Sequence, residues 1–472
     1  MTVFSSRFGI DRADCRKILA AALSRGGDFA DLYFEYRVFN LVNLEEDIVK
    51  ETAEAVSLGL GIRVNAGEKT GFAYVNELAM DKILEAARTA AAIAAAAPSV
   101  TIPRFRTSRV RRDVYRSRRP LHALQLEPRI ALAQEAYTAC RRRSPRVDKT
   151  KVVYQDSVQF VEVVNSEGLV ARDVRPMARL SCFAVAAKNG RRESGYSGGG
   201  GRIGLEYFRD VLTPAAIGQE AADEALRLLE AAEAPAGEMP VVLAPGHSGV
   251  LVHEAVGHLL EADFNRKKTS VFWDKLGRAV GSPLLTIYDD PTIPAFRGSY
   301  NIDDEGTPAT RTLLVDRGVV SGLLQDRLSA RLLHLPLTGH GRRQDFGCLP
   351  LPRMANTFVD NGGHDPEEIV ASVARGIYAE KFEGGQVEDS GKFTFSISSG
   401  YLIEGGRLTA PIRQATLVGT NIDILRKVEM VGNDLAFSLQ TGTCSKEGQD
   451  VPVSDGCPTI KISRMTVGGR GE

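Results

Sequence analysis

Apolar and polar positions alternate through two long stretches near the N-terminus, LYFEYRVFNLVNLEED and VSLGLGIRVNAGEKTGFAYV. This period of two, broken by a glycine-containing turn at Ala66-Gly67, predicts hairpin strands. The alanine-rich segment from Lys82 to Ala97 stops before Pro98 and predicts a helix. A further helix is expected over roughly Glu127 to Arg142. The alternating segments VVYQDSVQFVEVVNSEGLVARDV and ARLSCFAVAAKNGRR should add strands to the same sheet. The tract SGGGGRIG, from Ser197 to Gly204, contains no GxxxxGK[ST] pattern and is expected to be a flexible loop. A helix from about Pro214 to Ala232 ends in the Pro/Gly-punctuated EAPAGEMP, where a domain break is expected.

From Val241 the pattern changes. VVLAPG reads as a strand entering a helix, and from about Leu284 short alternating segments with Gly-rich turns follow, such as GKFTFSISSGYLIEGGRL and PTIKISRMTVGG. No fixed-period repeat is present. The expected class is α+β in two domains. Residues 1–235 form an N-terminal α/β sandwich-like domain, and residues 236–472 form a C-terminal β-rich, barrel-like domain that carries one functional helix.

Composition narrows the function classes. The 472 residues carry 59 Lys+Arg and 59 Asp+Glu, so no global field recruits nucleic acid, an anionic membrane or acidic substrates. Eight arginines fall between Arg104 and Arg119, but with few aromatics and no nucleic-acid motif beside them the run reads as a solvated linker. The charged N-terminal MTVFSSRFGIDRADCRKIL lacks the apolar core of a signal peptide, and no apolar run reaches membrane-spanning length, so a cytoplasmic, soluble protein is expected. Six cysteines without a CxxC pair argue against a disulfide framework.

The run HEAVGH, His253 to His258, holds the candidate chemistry. Two imidazoles can hold a metal ion while the adjacent Glu254 takes a proton from an attacking water. Three residues separate Glu254 from His258, so the histidines stand at i and i+5, about 140° apart on an ideal α-helix. One ion cannot be gripped across that angle. A π-bulge or widened turn over Ala255 to His258 is therefore expected, with Gly257 best able to relax there. The plain alternative is a pair of surface or hydrogen-bonded core histidines. A peptidase-like site also lacks a third ligand, for which Glu261, Asp263, His334, His340, Cys348, Cys444 and Cys457 are candidates that spacing does not separate.

The segment HEAVGHLLEADFNRKKTSVF resembles the signature of the TldD/PmbA family, in particular its TldD-type metallopeptidase branch. YNIDDEGTPATRT, TGHGRRQDF, LPRMANTFV, GIYAEKFEGGQVE, MVGNDL and TGTCSKEGQDVPV are similar to the family too, so that the resemblance covers nearly all of Val241 to Gly469. It implies that a divalent cation, expected to be Zn2+, is held by His253, His258 and Cys444, with Glu254 as general base. It also implies a homodimer, or a heterodimer with an inactive relative, whose cavity admits unfolded or flexible peptides. Neither nucleic acid nor membrane is expected as a partner.

Other polar groups carry weaker claims. Asp303, Asp304 and Glu305 could line the cavity, orient a histidine or cap a turn. Arg342 and Arg343 could meet a substrate carboxylate, with surface ion pairs as the default. His122, His247 and His364 attract no ligand role, and Cys348 and Cys457 are read as structural. Two other functions are consistent with the residues: a non-enzymatic scaffold of the gyrase-modulator type, and a metal-dependent amidase acting on a modified peptide.

Overall fold

A computed structural model describes residues 3–95, 100–108, 113–115, 117, 119–388, 390–440 and 442–469. Five of the eight arginines in the basic run, at 109, 111, 112, 116 and 118, lie outside the described residues, so the linker reading is not addressed there.

The N-terminal strands form one seven-stranded sheet. Phe29–Glu45 pairs antiparallel with Ile48–Ala66 on one side and with Val147–Asn165 on the other, and Leu169–Lys188 and Arg191–Gly201 extend the sheet. Glu46 and Asp47, at φ 50° and 62°, make the two-residue turn between the first two strands, a geometry whose twist matches that of the strands it joins. Register then sorts the side chains. Leu32 faces Val164, Tyr36 faces Phe160 and Val42 faces Tyr154, so the even-numbered apolar positions share one face. The helices Arg12–Ala22, Met80–Ala94, Leu126–Arg142 and Pro214–Leu229 cover that face through Ile18, Leu19, Ala87, Ala133 and Ala221.

The opposite face carries Tyr33, Glu35 and Arg37 opposite Val163, Val161 and Gln159, and it meets the C-terminal half. In LGLGIRV, Leu58 and Leu60 turn to the helices while Gly59 and Gly61 leave room for Phe346: a Cβ on Gly59 would lie 2.2 Å from the Phe346 ring. Buried ion pairs join the halves. Arg63 reaches Glu305 at 2.7 Å while also holding Asp31, and Arg175 reaches Asp304 at 2.6 Å.

The tract expected to be a flexible loop is corrected here, because Ser197 to Gly201 belong to the strand Arg191–Gly201. Its glycines answer a packing demand. A Cβ on Gly195 would meet Ala221 O at 2.1 Å and one on Gly200 would meet Ala178 O at 2.2 Å. Helix and neighbouring strand approach this strand too closely for any side chain.

In the C-terminal half the strands Gly237–Leu243, Ile460–Gly468, Ala415–Thr420, Lys392–Glu404 and Arg375–Val387 close into a five-stranded barrel, the last of them pairing both with its predecessor in the ring and with the first. Val241, Ile377, Phe395, Leu417 and Ile462 are buried in one core with Leu251, Val252, Ala255 and Val256, which lead into and through the histidine segment. A second, six-stranded sheet contains Ile287–Asp289, Asn356–Val359 and Ser454–Cys457. The α+β class with a barrel-like C-terminal region is thus observed. No helix among the described residues is long and apolar enough to cross a membrane, and all six cysteines are free.

Glu35 is fully buried at the contact between the halves, and burial, which outweighs the attraction of Arg37, pushes its carboxyl up to about 7. The folded state therefore holds this proton more tightly than the unfolded chain. The stabilising contribution is complete below the unfolded pKa near 4.5 and is lost as pH rises to about 7. Glu35→Gln should accordingly be more stable than the parent at pH 8, by roughly 2–3 kcal/mol, with the difference vanishing near pH 4.5 in denaturant titrations. A constant difference across that range would refute the assignment.

Candidate metal centre

The strand Gly237–Leu243 leads through a tight turn into Gly249–Val252, the first turn of the histidine helix. From His253 to Gly257 the backbone widens into a π-helical turn, and a 3-10 turn, His258–Leu260, follows. The widened turn expected from the i, i+5 spacing is present, beginning at His253. A carbonyl left poorly placed by such a turn needs a donor, and the Asn421 amide supplies one to Ala255 O at 2.9 Å. Gly257 is required for a different reason from the one expected. Its φ of −57° is ordinary, but a Cβ there would sit 1.9 Å from the buried Met354 sulfur. The glycine lets the turn lie against Met354.

The turn brings the two imidazole rings to 5.2 Å between centroids, nearly perpendicular at 88°. Cys444 arrives from the hairpin of Thr443–Lys446 and Gln449–Pro452, whose tip is Glu447-Gly448 at φ 49° and 73°. Its sulfur stands 3.3 Å from His258 Nε2, and one ligand atom from each of His253, His258 and Cys444 falls within 4.8 Å of the others. Among the described residues, no other group of three or more histidine, cysteine or carboxylate side chains is brought together in this way. Glu254 Oε2 lies 3.8 Å from His258 Nε2, half-buried at the edge of the cluster.

Each histidine is backed by a carboxylate. His253 Nδ1 is 2.8 Å from Asp455 Oδ1 and His258 Nδ1 is 3.1 Å from Glu261 Oε2, which leaves the Nε2 atoms for the centre. Glu261 in turn receives Lys446 Nζ at 3.0 Å, and Lys446 also reaches Asp263 at 2.7 Å. The lysine two residues beyond Cys444 thus docks the hairpin on the segment that follows the histidines. The fully buried Arg353 donates to Cys444 O at 2.6 Å and to its sulfur at 3.2 Å.

The clustered groups perturb one another's proton affinities. Burial alone would raise the Cys444 thiol, but His258 and His253 outweigh it and hold it well below the usual thiol range. Burial disfavours a charged His258, yet Glu261 and Cys444 bring it up to about 10. Burial raises Glu254 above the ordinary carboxylate range against the pull of His253 and His258. Two nitrogens and a thiolate sulfur, with carboxylates behind both rings, suit zinc with an open fourth position.

The remaining sequence candidates lie elsewhere. Glu261 and Asp263 face Lys446, and Cys457 is buried beside Ala244 O. His340 Nε2 meets the buried Asp289 at 3.0 Å. Asp303 accepts the backbone N–H groups of Glu305, Thr307 and Gly341, Asp304 pairs with Arg175, and Glu305 pairs with Arg63, so none of the three orients a metal-centre histidine. Arg342 and Arg343 are buried instead of forming surface ion pairs, Arg342 donating to Met354 O and Pro452 O and Arg343 to Cys348 O and Asp304 O. Asp455 and Arg353 went unnoticed in the sequence. Neither has a spacing relation to HEAVGH, and only the parallel pairing of Ser454–Cys457 with Asn356–Val359 brings that strand beside the helix.

The chain is similar to known proteins along most of its length. Three family models match consecutive segments: PmbA/TldA metallopeptidase domain 1 at residues 30–94, the central domain at 119–229 and the C-terminal domain at 236–469. The Metalloprotease TldD homolog of Haemophilus influenzae is 42% identical over 451 residues, 94% of each chain. The Zinc metalloprotease TldD homolog of Saccharolobus solfataricus is 26% identical over 96% of this chain and 99% of its own. The crystal structure of TldE from Thermococcus kodakarensis superposes with a TM-score of 0.78 at 18% identity, covering 97% of this chain and all of the other.

Because Gly257 serves packing, Gly257→Ala should lower stability by about 1–3 kcal/mol and weaken metal retention. Adding Met354→Ala to that variant should recover metal retention. Unchanged metal content in Gly257→Ala, measured by atomic emission after dialysis, would contradict the requirement.

Proposed function

Since the chain belongs to the PmbA/TldD metallopeptidase family, we propose that it is a zinc peptidase with His253, His258 and Cys444 as ligands and Glu254 as general base. The observation that carries this reading is the convergence of the three ligand atoms within 4.8 Å beside the Glu254 carboxylate. The zinc assignment draws on the nitrogen and sulfur donor set and on the name of the Saccharolobus solfataricus relative.

When bound, the cation supplies Lewis acidity that polarises the scissile carbonyl and makes water a usable nucleophile near neutral pH. The protein's own groups do the rest. Asp455 and Glu261 hold the two imidazoles in the tautomer that turns Nε2 to the centre. The Arg353 guanidinium, which donates to the Cys444 sulfur at 3.2 Å, favours its thiolate form. Glu254 takes the proton of the attacking water and returns it to the leaving amine, a transfer helped by a carboxyl more basic than usual.

The proposed substrates are unfolded or flexible peptides, the proposed compartment is the cytoplasm, and the proposed assembly is a homodimer or a heterodimer with an inactive TldE-type relative. The division of the chain into domains near residue 235 belongs to the same proposal.

Glu254→Gln should lose about 10²- to 10⁴-fold in peptide cleavage while retaining the metal of the parent, read by mass spectrometry of peptide products alongside metal analysis. Cys444→Ser should lose the metal and Cys457→Ser should keep it. Parent-like turnover in Glu254→Gln, or the opposite pattern for the two cysteines, would overturn the assignment of roles. Running the assay with and without a TldE-type relative distinguishes the two assemblies.

A further inference from the structure

A cavity of about 330 Å³ lies between the polar face of the N-terminal sheet and the C-terminal half. Thr443 and Pro452, paired at the open end of the cysteine hairpin, line it, whereas His253, Glu254, His258 and Cys444 do not. Its walls hold seven arginines and five aspartates. One aspartate, Asp156, is already neutralised by Arg129 from outside the cavity at 2.6 Å, while Asp173, also outside the lining, is paired with Arg175, so the arginines exceed the available carboxylates by two. Among the described residues, Arg175 is the one arginine of the seven with an ion pair, to Asp304 at 2.6 Å and Asp173 at 3.1 Å.

The others are buried or half-buried on weaker partners or on none. Arg297 donates to Gly442 O at 3.1 and 3.2 Å and approaches the Met177 sulfur at 3.5 Å. Arg202, 6% exposed, makes no side-chain hydrogen bond or ion pair among the described residues, and Arg179 has a buried Nε without a partner. Burial, with repulsion from Arg175 and Arg342, pulls Arg202 down to about 10. Burial, with repulsion from Arg179 and Arg202, pulls Arg297 down to about 9. A buried guanidinium without a counter-charge is costly to hold, and several facing one space make a site whose missing component is an anion.

We propose that this cavity binds a small oxyanion of the phosphate-ester or diphosphate class, with Arg202 and Arg297 as its principal ligands and Arg179 beside them. A lone carboxylate neutralises one of the two excess charges, whereas a phosphate or diphosphate offers two or more charges and several oxygens to the guanidinium forks. The volume is at the small end of the range for ligand pockets, and Phe39, Met177 and Val451 give the wall an apolar side for the organic part of an ester. The site is separate from the metal centre and independent of the reading of that centre.

Arg202 is the residue to change, because it holds no part of the hairpin. Calorimetric titration of the full-length protein with inorganic pyrophosphate, inorganic phosphate, citrate and acetate, at about 0.15 M ionic strength, tests the proposal. Saturable pyrophosphate binding tighter than about 1 mM, at least about tenfold weaker in Arg202→Met and equal to the parent in Cys444→Ser, is the expected result. The Cys444→Ser arm separates this cavity from chelation at the metal centre. Without anion, Arg202→Met should unfold at or above the parent temperature; if it fails to fold, Arg179→Gln, at a half-buried position, takes its place with the same expected loss. Tighter binding of phosphate than of pyrophosphate points to an ester group, and the reverse to a diphosphate. No saturation up to about 5 mM, equal affinity in the arginine variant, loss of binding in Cys444→Ser, or citrate binding as tightly as pyrophosphate would each overturn the proposal.

Discussion

The hydrogen bond from the Asn421 amide to Ala255 O sits where the demands of backbone and site meet. Histidines five residues apart face different ways on a regular α-helix, so the helix has to widen, and a widened turn leaves a carbonyl in need of a donor inside an apolar core. Asn421 follows the strand Ala415–Thr420 of the barrel, so the wall around the helix also supplies the group that stabilises its irregularity. Met354 presses on the same turn at Gly257, and Asp455 and Glu261 then fix the direction of each ring. The candidate centre is held by contacts from several separate parts of the chain, each acting on a defect that the spacing HEAVGH imposes.

Much of this was legible before the structure. Alternation located the long strands, the alanine-rich and Pro-bounded segments located three of the four helices on the sheet to within a few residues but not Arg12–Ala22, and the i, i+5 spacing called for the widened turn. What could not be read depended on contacts between distant segments. The glycine tract Ser197 to Gly204 looked like a flexible loop because its composition is the same whether glycines serve freedom or close approach, and only the positions of Ala178 and Ala295 decide between them. Gly257 raised the same ambiguity. Asp455 and Arg353 are ordinary residues in sequence and acquire roles through a parallel strand pairing and a hairpin placement that no local pattern encodes. Arg342 and Arg343 read as surface charges because burial of a cation is invisible until its carbonyl partners are in place.

The two faces of the N-terminal sheet illustrate a division of labour. One is apolar and covered by four helices. The other is rich in charge and lies against the C-terminal half through Arg63, Glu305, Arg175 and Asp304. Glycines at 59 and 61 admit Phe346, which packs with Tyr33, Val161 and Val163 in a small apolar cluster within this charged contact. A contact made of buried ions is specific in register because a shifted pairing strands charges without partners.

The distance along the chain between His258 and Cys444, 186 residues, has a consequence for biosynthesis. During synthesis the histidine turn emerges long before the thiolate, Asp455 and the final barrel strand Ile460–Gly468. A nascent chain therefore carries two ring nitrogens and a carboxylate but no complete donor set. The candidate centre can be assembled only after the hairpin and the strand Ile460–Gly468 have been made, when the barrel closes and the hairpin docks. The candidate donor set thus stays incomplete while the intervening segments are being made.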